Sequence, residues 1–138
     1  MSTPKKVLVV DDEAHIVHVV ALKLRNAGYD VRTASDGEEA LELATKHPPD
    51  MLITDLQMPY LDGLSLCARL KKQPSTSAVP ALMLTARGHA IEPEALAATN
   101  IRKVLGKPFS PREVLELVEQ ILGEASPSAA PAPEAKAA

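Results

Sequence analysis

The chain has 138 residues, enough for one ordinary domain and a short extension, and its 46% hydrophobic and 24% charged residues match a soluble globular fold. Aromatics make up only 2% (Tyr29, Tyr60 and Phe109), so the core must be aliphatic, and no aromatic platform for single-stranded nucleic acid is available. The net charge of −3 excludes general attraction to DNA or to an anionic membrane, and the single cysteine, Cys67, excludes an internal disulfide.

The first element is the apolar run Val7–Val10, which follows Lys5 and Lys6 and stops at Asp11. It reads as a strand and is too short for the core of a signal peptide. No run in the chain is long enough to span a bilayer, so a cytoplasmic location is expected. Ile16, Val19, Val20, Lys23 and Leu24 then share one helical face, and Gly28 is placed to end that helix. Val31–Thr33 reads as a second strand. Asp36 followed by Glu39 resembles a capping pair ahead of Ala40, Leu41 and Ala44. Met51–Thr54 is a third strand, and Cys67 falls in a helix-like stretch where a packing role is expected.

Ala81–Leu84 is the fourth strand. Pro93 suits only the first turn of a helix, so the helix holding Ala95–Ala98 is expected to be short and to start late. Val104–Leu105 is the fifth strand. In the last helix Ser110 is a natural N-cap, Pro111 fits the first position and Glu113 completes a capping box. Val114, Leu117, Val118, Ile121 and Leu122 form its apolar stripe, and Gly123 is expected to stop it. From Glu124 the composition changes. The segment from Ala125 to Ala138 holds only Ala, Pro, Ser, Glu and Lys, which cannot offset its own ordering entropy. The expected organisation is one domain over 1–123 and a disordered Ala/Pro-rich tail over 124–138, read as a plain end or as a linker to a lost effector domain.

Strand and helix thus alternate five times. Short apolar strands separated by helices imply a doubly wound parallel sheet covered on both faces, with right-handed crossovers. Such a sheet binds ligands at the carboxyl ends of its strands, where strand order reverses. Asp11, Asp12 and Glu13 follow the first strand, Asp55 the third, Thr85 ends the fourth, and Lys107-Pro108 follows the fifth. In a parallel sheet these positions share one rim. Crowded carboxylates are costly unless a cation binds them or one takes a proton. A hard divalent cation with oxygen ligands is the natural solution, and Mg²⁺ also bridges to phosphate oxygens. Lys107 adds a second positive charge and Thr85 a hydrogen-bond donor, which is equipment for holding a phosphoryl group during transfer. A carboxylate can itself accept that group as an acyl phosphate. Taken singly, Asp12 reads as a helix cap, Thr85 as a strand-end hydroxyl and Lys107 as a solvated surface charge. Only their joint placement points to chemistry.

Four motifs, in order, resemble the receiver domain of two-component response regulators, over about Lys5 to Leu122. VLVVDDE carries Asp11 and Asp12. ITDLQMPYLDG carries Asp55, Met58-Pro59 and Asp62-Gly63. LMLTAR carries Thr85, and GKPFSPREVLELV carries Lys107 before Pro108 and Phe109. The resemblance, closest in kind to stand-alone chemotaxis-type receivers, implies a flavodoxin-like five-stranded sheet of order 2-1-3-4-5. It implies that Asp12, Asp55 and the backbone carbonyl of Gln57 bind Mg²⁺ or Mn²⁺, with Asp11 acting through coordinated water. It implies that Asp55 attacks the phosphohistidine of a sensor histidine kinase or histidine phosphotransfer protein, or a small acyl phosphate. Thr85 and Lys107 would then move toward the phosphoryl oxygens and alter the surface of the fourth and fifth helices and the fifth strand, which partners read. It also implies a cis peptide at Lys107-Pro108.

The sequence departs from the family pattern in places. Val104 stands where a Tyr or Phe usually precedes the lysine by three residues, which removes the ring of the usual signal relay. Thr99-Asn100-Ile101-Arg102 replaces the common Gly-Ala-Asp run and is read as a loop. Gln57 and Arg87, each two residues beyond a site residue, are expected to set phosphate lifetime.

The leading expectation is a phosphorylatable module that signals by binding a downstream protein, without separate substrate turnover and without contacting nucleic acid or membrane itself. No helix-turn-helix follows Gly123, and the tail carries one lysine and no arginine. The alternatives are a phosphate shuttle or sink, which Val104 favours, and a pseudo-receiver that only binds protein. A phosphohydrolase is disfavoured, because Gln57 stands where such enzymes commonly place a second aspartate.

Overall fold

The computed structural model describes residues 4–86 and 91–125. In chain order the elements are β1 (Lys6–Val10), α1 (Ala14–Asn26), β2 (Asp30–Ala34), α2 (Gly37–Lys46), β3 (Met51–Asp55), α3 (Gly63–Lys72), β4 (Ala81–Thr85), α4 (Pro93–Ala97), β5 (Ile101–Gly106) and α5 (Pro111–Ala125). Every strand pair is parallel, and the order is β2-β1-β3-β4-β5. The expected flavodoxin-like sheet is therefore the one found. The chain leaves β1 for the edge strand β2 and returns to β3 on the other side, so strand order reverses between β1 and β3.

Period-2 alternation divides the core into two layers. Val7, Val9, Met51, Ile53, Leu82 and Leu84 face α1 and α5, where Val20, Leu24, Val114, Val118 and Ile121 complete one cluster. Leu8, Val10 and Leu52 face the other way, onto Ala40 and Ala44 of α2 and Leu66, Cys67 and Leu70 of α3. β3 and β4 are buried along their whole length, as strands covered by helices on both faces must be. Each fully buried aliphatic side chain contributes about 1.5–3 kcal/mol relative to exposure. Cys67 belongs to this packing, and burial pushes its thiol up to about 12.

Caps set the helix starts. The Asp36 carboxylate accepts from the Glu39 N–H at 2.8 Å and the Asp62 carboxylate from the Ser65 N–H at 2.8 Å. Ser110 and Glu113 form the expected reciprocal box, at 3.2 and 2.9 Å. Gly28 follows α1 with φ of 100°, a left-handed conformation that glycine adopts without strain. The fourth helix is short, with Pro93 in its first turn.

Several expectations are corrected. α1 buries Val20, Ala21 and Leu24, while Val19 is 42% and Leu22 49% exposed, so its inner face is turned toward Ala21 and away from Val19. α5 passes through Gly123 to Ala125 instead of stopping there. Ile121 and Leu122 are anchored in the core, which outweighs the weak helix propensity of one glycine. Ile101 and Arg102 belong to β5, not to a loop. The register steps there from Ala81↔Ile101 to Leu82↔Lys103, a bulge that accommodates the additional residue. The tail beyond 125 and Arg87 lie outside the described residues.

Candidate functional site

Strand register delivers the polar residues to one rim. β1 ends at Val10, opposite Thr54 of β3, so Asp11 and Asp55 flank the point where strand order reverses. Asp55 pairs with Leu84 and Thr85 with Gly106, which brings Thr85 and Lys107 to the same edge. The Lys107 N–H donates to the Thr85 carbonyl at 3.1 Å, and the Lys107-Pro108 peptide is cis, as expected. Asp11, Asp55 and Thr85 are buried, whereas Asp12 is exposed. A tight turn holds the far side. The Gly63 N–H donates to the Leu56 carbonyl at 2.9 Å, and a Cβ at Gly63 would overlap the Asp55 carbonyl oxygen.

The side chains surround a pocket of about 280 Å³ lined by Asp12, Glu13, Asp55, Gln57, Thr85, Ala86 and Lys107. Lys107 Nζ lies 3.1 Å from Asp11 Oδ2, 3.0 Å from Glu13 Oε1 and 3.4 Å from Asp55 Oδ1. Asp11 Oδ1 accepts from the Glu13 N–H at 2.9 Å. One carboxylate oxygen from each of Asp11, Asp12 and Asp55 falls within 4.8 Å of the others. An all-oxygen donor set of this kind is the chemistry that a hard divalent cation would take. Among the described residues, all those expected at the site converge, Gln57 included. Glu13 was not among the expected site residues, although its place directly after the acidic pair was a visible signal.

The electrostatics are those of a site short of positive charge. Burial, then the charge of Asp11, pushes the Asp55 carboxyl up to about 6, against the opposing pull of Lys107 and the Leu56 N–H. Burial also raises Asp11, partly offset by the Glu13 N–H and by Lys107. Burial would lower Lys107, but hydrogen bonds to Glu13 and Asp11 and the charges of Asp11 and Asp55 outweigh it and raise the ammonium. Lys107 in turn holds Glu13 below the usual carboxylate range. One ammonium does not neutralise this cluster, and a divalent cation on the aspartate oxygens fits the deficit.

The response regulator receiver domain family matches residues 7–119. The chain belongs to this family. This receiver domain is 44% identical to the alkaline phosphatase synthesis transcriptional regulatory protein PhoP of Bacillus subtilis, over 96% of the chain and 54% of that protein. It is 36% identical to the DNA-binding dual master transcriptional regulator RpaA of Synechocystis, over 85% of the chain and 48% of that protein. The chain thus spans about half the length of the curated relatives it matches. Among solved structures it resembles the Vibrio cholerae chemotaxis response regulator CheY4, with a TM-score of 0.80, 35% identity, and coverage of 86% of the chain and 99% of CheY4. It also resembles the receiver domain of the Pseudomonas aeruginosa sensor histidine kinase PA1611, with a TM-score of 0.78, 27% identity, and coverage of 88% and 99%. That structure has a magnesium ion coordinated in its active-site cleft. Among the described residues here, no helix is long and apolar enough to cross a membrane.

Proposed function

We propose that this receiver domain accepts a phosphoryl group on Asp55, in a reaction that needs Mg²⁺ or Mn²⁺, and signals through protein contacts that depend on it. The observation that carries the reading is that Asp12, Asp55 and Lys107 line one pocket at the point where strand order reverses, with buried Asp11 clustered against the aspartates and paired with Lys107. Asp12, Asp55 and the Gln57 carbonyl are assigned to the cation, with Asp11 acting through coordinated water. When bound, the cation neutralises the aspartates and the incoming phosphoryl oxygens. An Asp55 carboxylate oxygen attacks phosphorus, and the leaving group departs with the electron pair of the broken bond. Lys107 and Thr85 hold the phosphoryl oxygens. The donor is a histidine kinase or phosphotransfer protein, the setting is the cytoplasm, and no separate substrate is turned over.

Val104 supports a second reading, a phosphate shuttle. It sits in β5 opposite Met83 and brings no aromatic ring to the sheet edge, so charging of Asp55 is coupled less strongly to the outer face. The deciding experiment is incubation with Mg²⁺ and acetyl phosphate, followed by intact mass. One labile phosphoryl adduct is expected, absent in Asp55→Asn and in a chelated sample. An adduct that survives either control, or none in the unsubstituted protein even with competent kinases, overturns the reading.

A further inference from the structure

Glu13 is the carboxylate at this rim to which phosphoryl acceptance assigns no role. It stands at the N-cap position of α1 but makes no side-chain capping bond. Its Oε1 instead accepts from Lys107 Nζ at 3.0 Å, across 94 residues of sequence. The Lys107 ammonium has three N–H bonds and faces three carboxylates, of Asp11, Glu13 and Asp55. Its contacts of hydrogen-bonding length go to Glu13 and Asp11, and the longest, 3.4 Å, goes to Asp55. The ammonium is therefore committed before any phosphoryl group arrives, yet that group needs the same ammonium. Of its three partners Glu13 is the easiest to give up, since its side chain is 49% exposed against 1% for Asp11 and 9% for Asp55.

We propose that Glu13 is a positioning residue that holds Lys107 at the rim of the uncharged site and competes for it with the phosphoryl group arriving on Asp55. The proposal rests on Asp55 being the acceptor. With acetyl phosphate, an Asp55 oxygen forms the new O–P bond as the P–O bond to the acetyl group breaks. Acetate leaves with the electron pair, and no proton changes hands because attacker and leaving group are both carboxylates. As the phosphoryl oxygens draw Lys107 inward, its bond to Glu13 breaks. Glu13 thus slows charging by stabilising the lysine where it is not yet needed.

Glu13→Gln keeps the side-chain length but removes the charge, and Glu13→Asp keeps the charge but withdraws it by one methylene. Both release the lysine. Charging rates are measured with acetyl phosphate and Mg²⁺ by intact mass, since the chain has no Trp to report by fluorescence. Both variants are expected to charge about two- to fivefold faster, the scale of one exposed ion pair. Both gains are expected to vanish in a Lys107→Met background, because the effect runs through the lysine. The nitrogen NMR resonance of the Lys107 ammonium, read without turnover, is expected to move in both variants. Unchanged rates, an unmoved lysine resonance, a gain in Glu13→Gln alone, or gains that persist without Lys107 each overturn the proposal. An unsubstituted protein that takes no phosphoryl group overturns the acceptor reading and this proposal together, whereas a charged protein indifferent to Glu13 overturns this one alone.

Discussion

At Asp55, burial and the neighbouring Asp11 raise the carboxyl from 3.8 to about 6. The folded pKa lies above the unfolded one, so the protonated form favours the fold. That contribution is complete below about pH 4 and is lost as the pH rises through about 6. Burial moves Asp11 in the same direction. A strained charge of this kind is tolerable where an ion or a phosphoryl group is to be received. In metal-free buffer, Asp55→Asn is expected to become more stable than the unsubstituted protein as the pH rises from about 4 to about 7, by about 3 kcal/mol at the upper end. Urea titrations at the two pH values check this. A difference that does not change with pH would mean that the Asp55 charge costs the fold nothing.

Elements in this molecule are set by their ends as much as by their faces. The Ser110–Glu113 box starts α5 where the chain leaves the site, and so fixes where Lys107 and Pro108 sit relative to the rim. Gly123 lies within the same helix, exposed and with open space around its Cα. Two substitutions in α5 should therefore act in opposite directions. Ser110→Ala loses a cap and is expected to cost about 1 kcal/mol. Gly123→Ala is expected to stabilise by about 0.5–1 kcal/mol, by removing backbone freedom from the unfolded chain without meeting anything in the folded one. Shifts in denaturation midpoint at constant slope measure both. Destabilisation by Gly123→Ala would show that the helix does not run through that position.

For the whole molecule, the sheet is the instrument that brings residues distant in sequence to one edge. The site is anchored on the buried strands β1, β3 and β4 and on the end of β5, which is paired to β4, so a ligand at the rim is coupled to global stability. Protons and a cation compete for the same aspartate oxygens. Adding Mg²⁺ is expected to raise the Tm, and to raise it more at about pH 7.5 than at about pH 5, in thermal scans of the unsubstituted protein. The extra rise at high pH is expected to shrink in Asp55→Asn. Equal rises at both pH values would place the ion away from the aspartate cluster.

Much of this was legible in the one-dimensional chain, because the signals concerned are local. The alternation of short apolar runs with helical stripes depends on side-chain period, the caps at Asp36 and Ser110 on spacings of three residues, and the acid-rich strand ends on parallel geometry alone. These determined the doubly wound sheet and the company of Asp11, Asp12, Asp55, Thr85 and Lys107. Tertiary structure decided what neighbours decide. Val19 is as apolar as Val20, and only the position of the sheet and of α5 left Val19 outside. Gly123 carries a local stop signal that core anchoring of Ile121 and Leu122 overrides. Arg102 entered β5 because β4 offered it a bulged register. The Glu13–Lys107 bond joins residues 94 apart. Its place after the acidic pair marks Glu13 as a neighbour of the site, but only folding, by closing that distance, gives it Lys107 as a partner.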